Sequence, residues 1–173
     1  ENDIRLQRLV PTIKYLIDKK AKVILIGHLG RPEGKITNEY SLKPVAEVLE
    51  KMLNLKINFV FDIAGEEAKV ESDKLQPGDV MMLENLRFDS REESNDETFS
   101  KSLSSLGDIY INEAFSVCHR EHSSIVGIPK FLPSYSGLNL ENEVNNLSTV
   151  FEPERPLLIL ISGVKKDKLE YMK

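Results

Sequence analysis

Five short apolar runs, at residues 22–26, 57–61, 80–83, 109–111 and 157–161, alternate with stretches whose apolar residues recur at helical spacing. That alternation constrains the fold more than any other feature. Strands that are apolar throughout are buried on both faces. A helix between consecutive strands is the connection that lets them run parallel. The expected fold class is therefore α/β, a parallel sheet flanked by helices on both faces in a Rossmann-like, three-layer arrangement.

The helical stretches carry their own start and stop signals. Leu6, Leu9, Val10, Ile13, Leu16 and Ile17 form one stripe, with Pro11 expected to open the continuous part of the helix, where proline is tolerated. Ser41 is read as the N-cap of a helix burying Leu42, Val45, Leu49, Met52 and Leu53. A short helix is expected over about 66–72. Asn95 is read as the cap of a helix with Phe99, Leu103 and Leu106, which Gly107 stops. Leu140, Val144, Leu147 and Phe151 mark a last helix, bracketed by prolines. The organisation expected is a lobe over 1–137, a connecting helix over 138–152 and the start of a second unit over 153–173. The chain opens in a helix-like pattern without an initiator Met, as a piece of something larger would.

Bulk composition removes several function classes. With 40% hydrophobic and 29% charged residues, the 173-residue chain reads as globular and not disordered. A net charge of −5 argues against a nucleic-acid surface but not against a local cationic pocket. The single cysteine, Cys118, excludes an internal disulfide framework and fits a reducing compartment. No apolar run approaches the ~20 residues that span a bilayer. There is neither a GxGxxG nor a GxxxxGK[ST] pattern.

The chemistry-bearing residues fall just past the strands. Gly27–His28–Leu29–Gly30–Arg31–Pro32 follows the first run, Glu84–Asn85–Leu86–Arg87 the third, and Asn112–Glu113 with His119, Arg120 and His122 the fourth. In a parallel sheet the carboxyl ends share one edge, where ligands of such folds bind. Arginines and histidines gathered there suit an anion, since arginine forks match phosphate and carboxylate oxygens. Each arginine taken singly reads first as a solvated surface residue or half of an ion pair. His28 could donate to a ligand or satisfy nearby backbone, and His122 could simply be packed. A metal site from Cys118, His119 and His122, or a Cys118 nucleophile beside His119, is conceivable on residue type alone. The acidic run Glu92, Glu93, Asp96 and Glu97 is expected to decorate a helix N-terminus, and Asp62 shows no partner. Ser162–Gly163–Val164–Lys165 with Lys168 could bring amides and ammonium groups to phosphates.

Three stretches resemble signatures of the phosphoglycerate kinase family, in the family's order: Gly27 to Pro32, Leu83–Glu84–Asn85–Leu86–Arg87–Phe88, and His119–Arg120–Glu121–His122–Ser123–Ser124. Pro77–Gly78–Asp79–Val80 and Asn112–Glu113–Ala114–Phe115 resemble the family too, so the likeness runs from Arg5 to Gly163. It implies the phosphoglycerate-binding lobe and interdomain helix of a cytoplasmic, monomeric glycolytic enzyme. That enzyme transfers phosphoryl between 1,3-bisphosphoglycerate and ADP, giving 3-phosphoglycerate and ATP, with Mg²⁺ and with no nucleic-acid or membrane partner. By resemblance, Arg5, His28, Leu29, Gly30, Arg31, Arg87, His119 and Arg120 bind the substrate. Arg5 and Lys165 balance transition-state charge, and Gly163, Lys165 and Lys168 meet the nucleotide.

The sequence departs from the family at Glu113, where Asp is usual, and at Ser116, where Gly is usual. Lys168 comes one residue earlier than the family's second lysine, a shift of about 3.5 Å along the chain. The family's first strand and its nucleotide lobe have no counterpart here, so these 173 residues alone are expected to lack useful kinase activity. Two other readings are a non-catalytic module for anionic metabolites and a purely structural fragment.

Overall fold

The computed structural model describes residues 3–156 and residue 158. The expected strand at 157–161, with Gly163, Lys165 and Lys168, therefore lies outside the described residues. Strand β3 (Val80–Leu83) is the axis of the fold, because all four of its residues are buried. It pairs in parallel with β1 (Val23–Leu25) on one side and β2 (Ile57–Val60) on the other, with Val80 opposite both Val23 and Ile57.

The period of two along β3 sorts the core into halves. Val80 and Met82 meet Ile13, Val23, Leu42, Ala46, Leu49 and Ile57, beneath helices α1 (Ile4–Asp18) and α2 (Lys43–Leu53). Met81 and Leu83 face the other way, onto Val60, Ala68, Leu75, Leu86, Phe99, Leu103 and Ile128. There α3 (Glu66–Lys74) and α5 (Glu97–Ser104) provide the cover. Helix, sheet and helix form three layers, as the strand and helix rhythm predicts.

Two further strands, β4 (Tyr110–Asn112) and β5 (Ser134–Ser136), form a separate parallel pair in which Tyr110 faces Ser134. The fourth apolar run is thus a strand, but not of the main sheet. Its partner, Ser134–Tyr135–Ser136, is exposed and mostly polar, so no hydrophobic pattern announces it. Helix α4 (Ser90–Glu93) is a single turn, and α6 spans Leu138–Ser148, shorter than the helix expected over 138–152.

Several local expectations are corrected. Pro11 lies inside α1 and does not begin it. An interior proline removes a hydrogen bond and costs about 3 kcal/mol. Here Leu6, Leu9 and Val10 before it and Ile13, Leu16 and Ile17 after it all pack on the same half of the core, and that burial holds the helix together across it. Leu42, not Ser41, is the capping residue of α2, although Ser41 Oγ still accepts the Lys43 amide at 3.2 Å. Asp96, not Asn95, caps α5, its Oδ1 taking the Phe99 amide at 2.8 Å. Asn95 occupies the left-handed region, φ 53°, that asparagine tolerates.

Asp62 has partners after all: its carboxylate accepts the amides of Ile63 (2.7 Å), Gly65 (3.1 Å) and Ala68 (3.0 Å) and closes the loop into α3. Free backbone donors at a helix start are costly to leave unmet. Asp62→Ala should therefore destabilise the domain by about 1–2 kcal/mol, seen as a lower urea midpoint with an unchanged denaturant slope.

Candidate functional site

The segment that leaves β3 carries buried polar side chains at Glu84 (5% exposed), Asn85 (0%) and Arg87 (5%). Buried polar groups are stable only when paired, and the pairs made here shape the site. Glu84 accepts the Ser41 hydroxyl at 2.7 Å and the Leu42 and Asn85 amides, both at 2.7 Å, which fixes the entry to α2. The Asn85 amide nitrogen donates to the carbonyls of Leu29 (2.8 Å) and Tyr40 (2.9 Å), while its oxygen caps the turn at the Arg87 amide, 3.0 Å. Arg87 Nη1 donates to the Gly30 carbonyl at 2.7 Å, and the Leu86 amide to the Gly27 carbonyl at 3.0 Å.

The loop after β1 is thereby sewn to the segment after β3. Gly30 sits at φ +66°, and a Cβ there would meet the Tyr40 ring at 2.5 Å. Both conformation and space require glycine at that point. Leu29 and Gly30 thus serve through backbone carbonyls, which are already engaged, while Arg31 extends exposed from the same loop.

The loop after β4 completes the edge. His119 is exposed and Arg120 half-buried, and a single π-helical turn, Ser123–Gly127, follows. Arg31 and Arg120 both act on Arg87, and Arg87, Arg120 and His122 all act on His28. His119 adds to the field at His122. The structure therefore brings His28, Arg31, Arg87, His119 and Arg120 into one electrostatic neighbourhood. Arg5 lies exposed in the first turn of α1.

Charge at this edge is only partly compensated. Glu93 lies 3.2 Å from Arg87 Nε without hydrogen-bond alignment. Arg87 Nη2 and Arg120 Nε are buried donors without a partner. Burial first, then the neighbouring arginines, pulls the pKa of His28 down to about 4, so its ring is neutral near pH 7. Burial and Arg87 lower His122 as well, so its approach to Glu92 (3.9 Å) is not an ion pair at neutral pH.

The alternatives built on Cys118 lose their geometry. Its thiol contacts the Ala114 carbonyl (3.4 Å) and the Asn112 amide nitrogen (3.5 Å), and no hydrogen bond joins it to His119. Among the described residues no cluster of three or more His, Cys, Asp or Glu could hold a metal ion. No helix among them is long and apolar enough to cross a membrane.

The acidic run does sit at helix starts, Glu92 and Glu93 in the first turn of α4 and Asp96 and Glu97 at the start of α5. Glu92 does more: it is 1% exposed and accepts the Ser124 amide (3.0 Å) and hydroxyl (2.5 Å). Its partner lies 32 residues away, a separation that local pattern cannot report.

Fold and site together define a class: a parallel α/β domain that gathers arginines and neutral histidines past its strand ends, where ligands of such folds bind. Comparison with known proteins makes the class particular. The profile of the family described as phosphoglycerate kinase matches residues 1–173, and the chain belongs to that family. Phosphoglycerate kinase from Coprothermobacter proteolyticus is 47% identical over 95% of this chain and 42% of its own length. The enzyme of Orientia tsutsugamushi is also 47% identical, over 95% of the chain and 41% of its own length. The solved phosphoglycerate kinase of Coxiella burnetii superposes with a TM-score of 0.79 at 35% identity, covering 90% of this chain and 39% of that one. The chain spans about two fifths of the length of the curated relatives it matches.

The lowered His28 pKa sets a pH dependence. An imidazole at about 4 in the fold and 6.5 when unfolded takes up its proton more readily in the unfolded chain. Its stabilising contribution is thus complete above pH 6.5 and lost as pH falls towards 4. The His28 ring resonance should titrate near pH 4 without ligand, whereas a midpoint near 6.5 would contradict the burial and the cationic surroundings that lower it.

Proposed function

We propose that residues 1–137 form the phosphoglycerate-binding lobe of a phosphoglycerate kinase, residues 138–152 its connecting helix and residues 153–173 the start of the nucleotide lobe. One observation carries this reading: Arg87 is 5% exposed, yet its Nη2 has no partner. An arginine is buried in this way, beside a second one with a free buried donor, where an anion supplies the missing acceptors.

The substrate pair is 1,3-bisphosphoglycerate and 3-phosphoglycerate. Arg31, Arg87 and Arg120 neutralise its phosphate and carboxylate oxygens, with His119 at the rim. His28, neutral in the free protein, can donate one ring N–H without adding charge repulsion. Phosphoryl transfer depends mainly on positioning and on charge neutralisation, and a sewn loop with fixed arginines supplies both. Arg5 and Lys165 balance charge on the transferring group, and Gly163, Lys165 and Lys168 meet the phosphates of ADP or ATP. Mg²⁺, brought in with the nucleotide, would supply charge neutralisation between the phosphates, and no described residue is assigned to hold it. The protein works as a monomer in the cytoplasm, and the 173 residues alone do not turn over.

Titration calorimetry with 3-phosphoglycerate tests the site. Arg31→Ala should weaken binding about tenfold, as expected for one charged hydrogen bond. Arg87→Lys should weaken it at least as much, because an ammonium cannot hold both the Gly30 carbonyl and a ligand fork. Equal affinity for 3-phosphoglycerate and inorganic phosphate would instead favour a general anion-binding module.

A further inference from the structure

Glu92 lies behind the cationic edge, outside every stretch that the family resemblance singles out. It is 1% exposed, on the single-turn helix α4 that follows Arg87 by a few residues. Its two oxygens are both engaged by Ser124, one with the amide at 3.0 Å and the other with the hydroxyl at 2.5 Å. The neighbouring Ser123, 0% exposed, donates its hydroxyl to the Arg91 carbonyl at 2.9 Å. Tyr110 in turn donates to the Ser124 carbonyl at 2.6 Å. Residues 123 and 124 are therefore clamped from three directions, immediately after His119, Arg120 and His122.

A buried carboxylate is costly unless paired and fully hydrogen-bonded. Burial does push the Glu92 carboxyl up, against the Ser124 bonds and the Arg87 charge that hold it down. An apolar side chain could have filled the same space. What the carboxylate adds is two directional bonds to one residue of the turn, beside the bonds that Ser123 and Tyr110 make there. Gly127 ends that turn against Ser100 and Asn95, where a Cβ would clash, so the turn is pinned at its start by Glu92 and at its end by close packing.

We propose that Glu92 is a positioning residue for the substrate site: through Ser124 it fixes the turn that aims His119, Arg120 and His122 at the anion held by Arg87. The inference rests on the proposed phosphoglycerate site. A single segment, Glu84 to Glu93, then positions both flanking loops, the loop after β1 through Asn85 and Arg87 and the loop after β4 through Glu92.

The test uses the whole protein and 3-phosphoglycerate, with affinity measured by calorimetry well below every variant's melting temperature. Glu92→Gln places an NH₂ against one of two donors. It should weaken 3-phosphoglycerate at least tenfold and move the ring resonance of His119, whereas His122, 3.9 Å from the carboxylate, responds to its charge directly. Ser124→Ala, a milder change that keeps the backbone bond, should weaken binding about threefold. Leu49→Ala, in the opposite half of the core, is a destabilised control that should leave affinity unchanged. Glu92→Gln and Ser124→Ala binding as tightly as wild type would overturn the proposal, as would Leu49→Ala losing affinity in step with Glu92→Gln. Should Glu92→Gln not fold, Ser124→Ala decides alone. Wild-type protein failing to bind 3-phosphoglycerate would remove the underlying site assignment and this inference with it, an outcome distinct from bound wild type and unaffected variants.

Discussion

The hydrogen bonds of the Asn85 side chain are the interaction on which the edge of the sheet depends. A fully buried central strand must end somewhere, and the backbone leaving β3 emerges among loops whose carbonyls would otherwise stay unmet inside the protein. Asn85, 0% exposed, satisfies Leu29 and Tyr40 with one end and the turn at Arg87 with the other. Glu84 does the same for the start of α2. The cost of an unpaired buried amide or carbonyl, about 1–3 kcal/mol each, makes the arrangement close to all-or-none. Loop geometry at the edge is thus inherited from the core and not negotiated with solvent.

That rigidity lets like charges share a small space. Arg87 has its head inside the protein with one arm spent on the Gly30 carbonyl, the loosely aligned carboxylate of Glu93 beside it and the charge of Glu92 acting from further off. Arg31 and Arg120 depress its proton affinity further. Two histidines respond by staying neutral. A polyanion entering such a site would relieve repulsion already present in the free protein, so part of its binding energy would be stored by the fold. Preorganised charge of this kind needs no rearrangement when the ligand arrives.

Much of this was legible in the sequence, and the reason is period. Strands β1, β2 and β3 are continuous apolar runs between helical stripes, so layering and the convergence of strand ends followed from spacing alone. The motif around Gly27 to Pro32 showed a strand ending in glycine and cations. What spacing could not show were pairings between distant polar residues. Glu92 reads as one more surface acid until Ser124 is placed against it, and Asp62 reads as unpartnered until the loop folds back onto its carboxylate. Strand β5, with the sequence Ser134–Tyr135–Ser136, has no apolar side to betray it and exists because β4 offers its edge. Pro11 misled in the opposite sense: a local breaker was overruled by tertiary burial on both sides of it.

The end of β4 joins the site to the rest of the chain. Asn112 accepts the Gly137 amide at 2.8 Å, and the next residue, Glu113, takes the amides of Asn139 (3.4 Å) and Leu140 (3.0 Å) at the start of α6. Glu113 also accepts the Thr12 hydroxyl from α1, and Thr12 in turn accepts the Leu138 amide at 3.1 Å. A carboxylate at a helix start meets both free amides and the positive end of the helix dipole. The longer reach of glutamate, where the family usually has aspartate, is taken up by contact with two helices at once. The strand that presents His119 and Arg120 on its following loop therefore also seats the helix that leads onward. Any movement of α6 against α1 must work against the same side chain that terminates this strand.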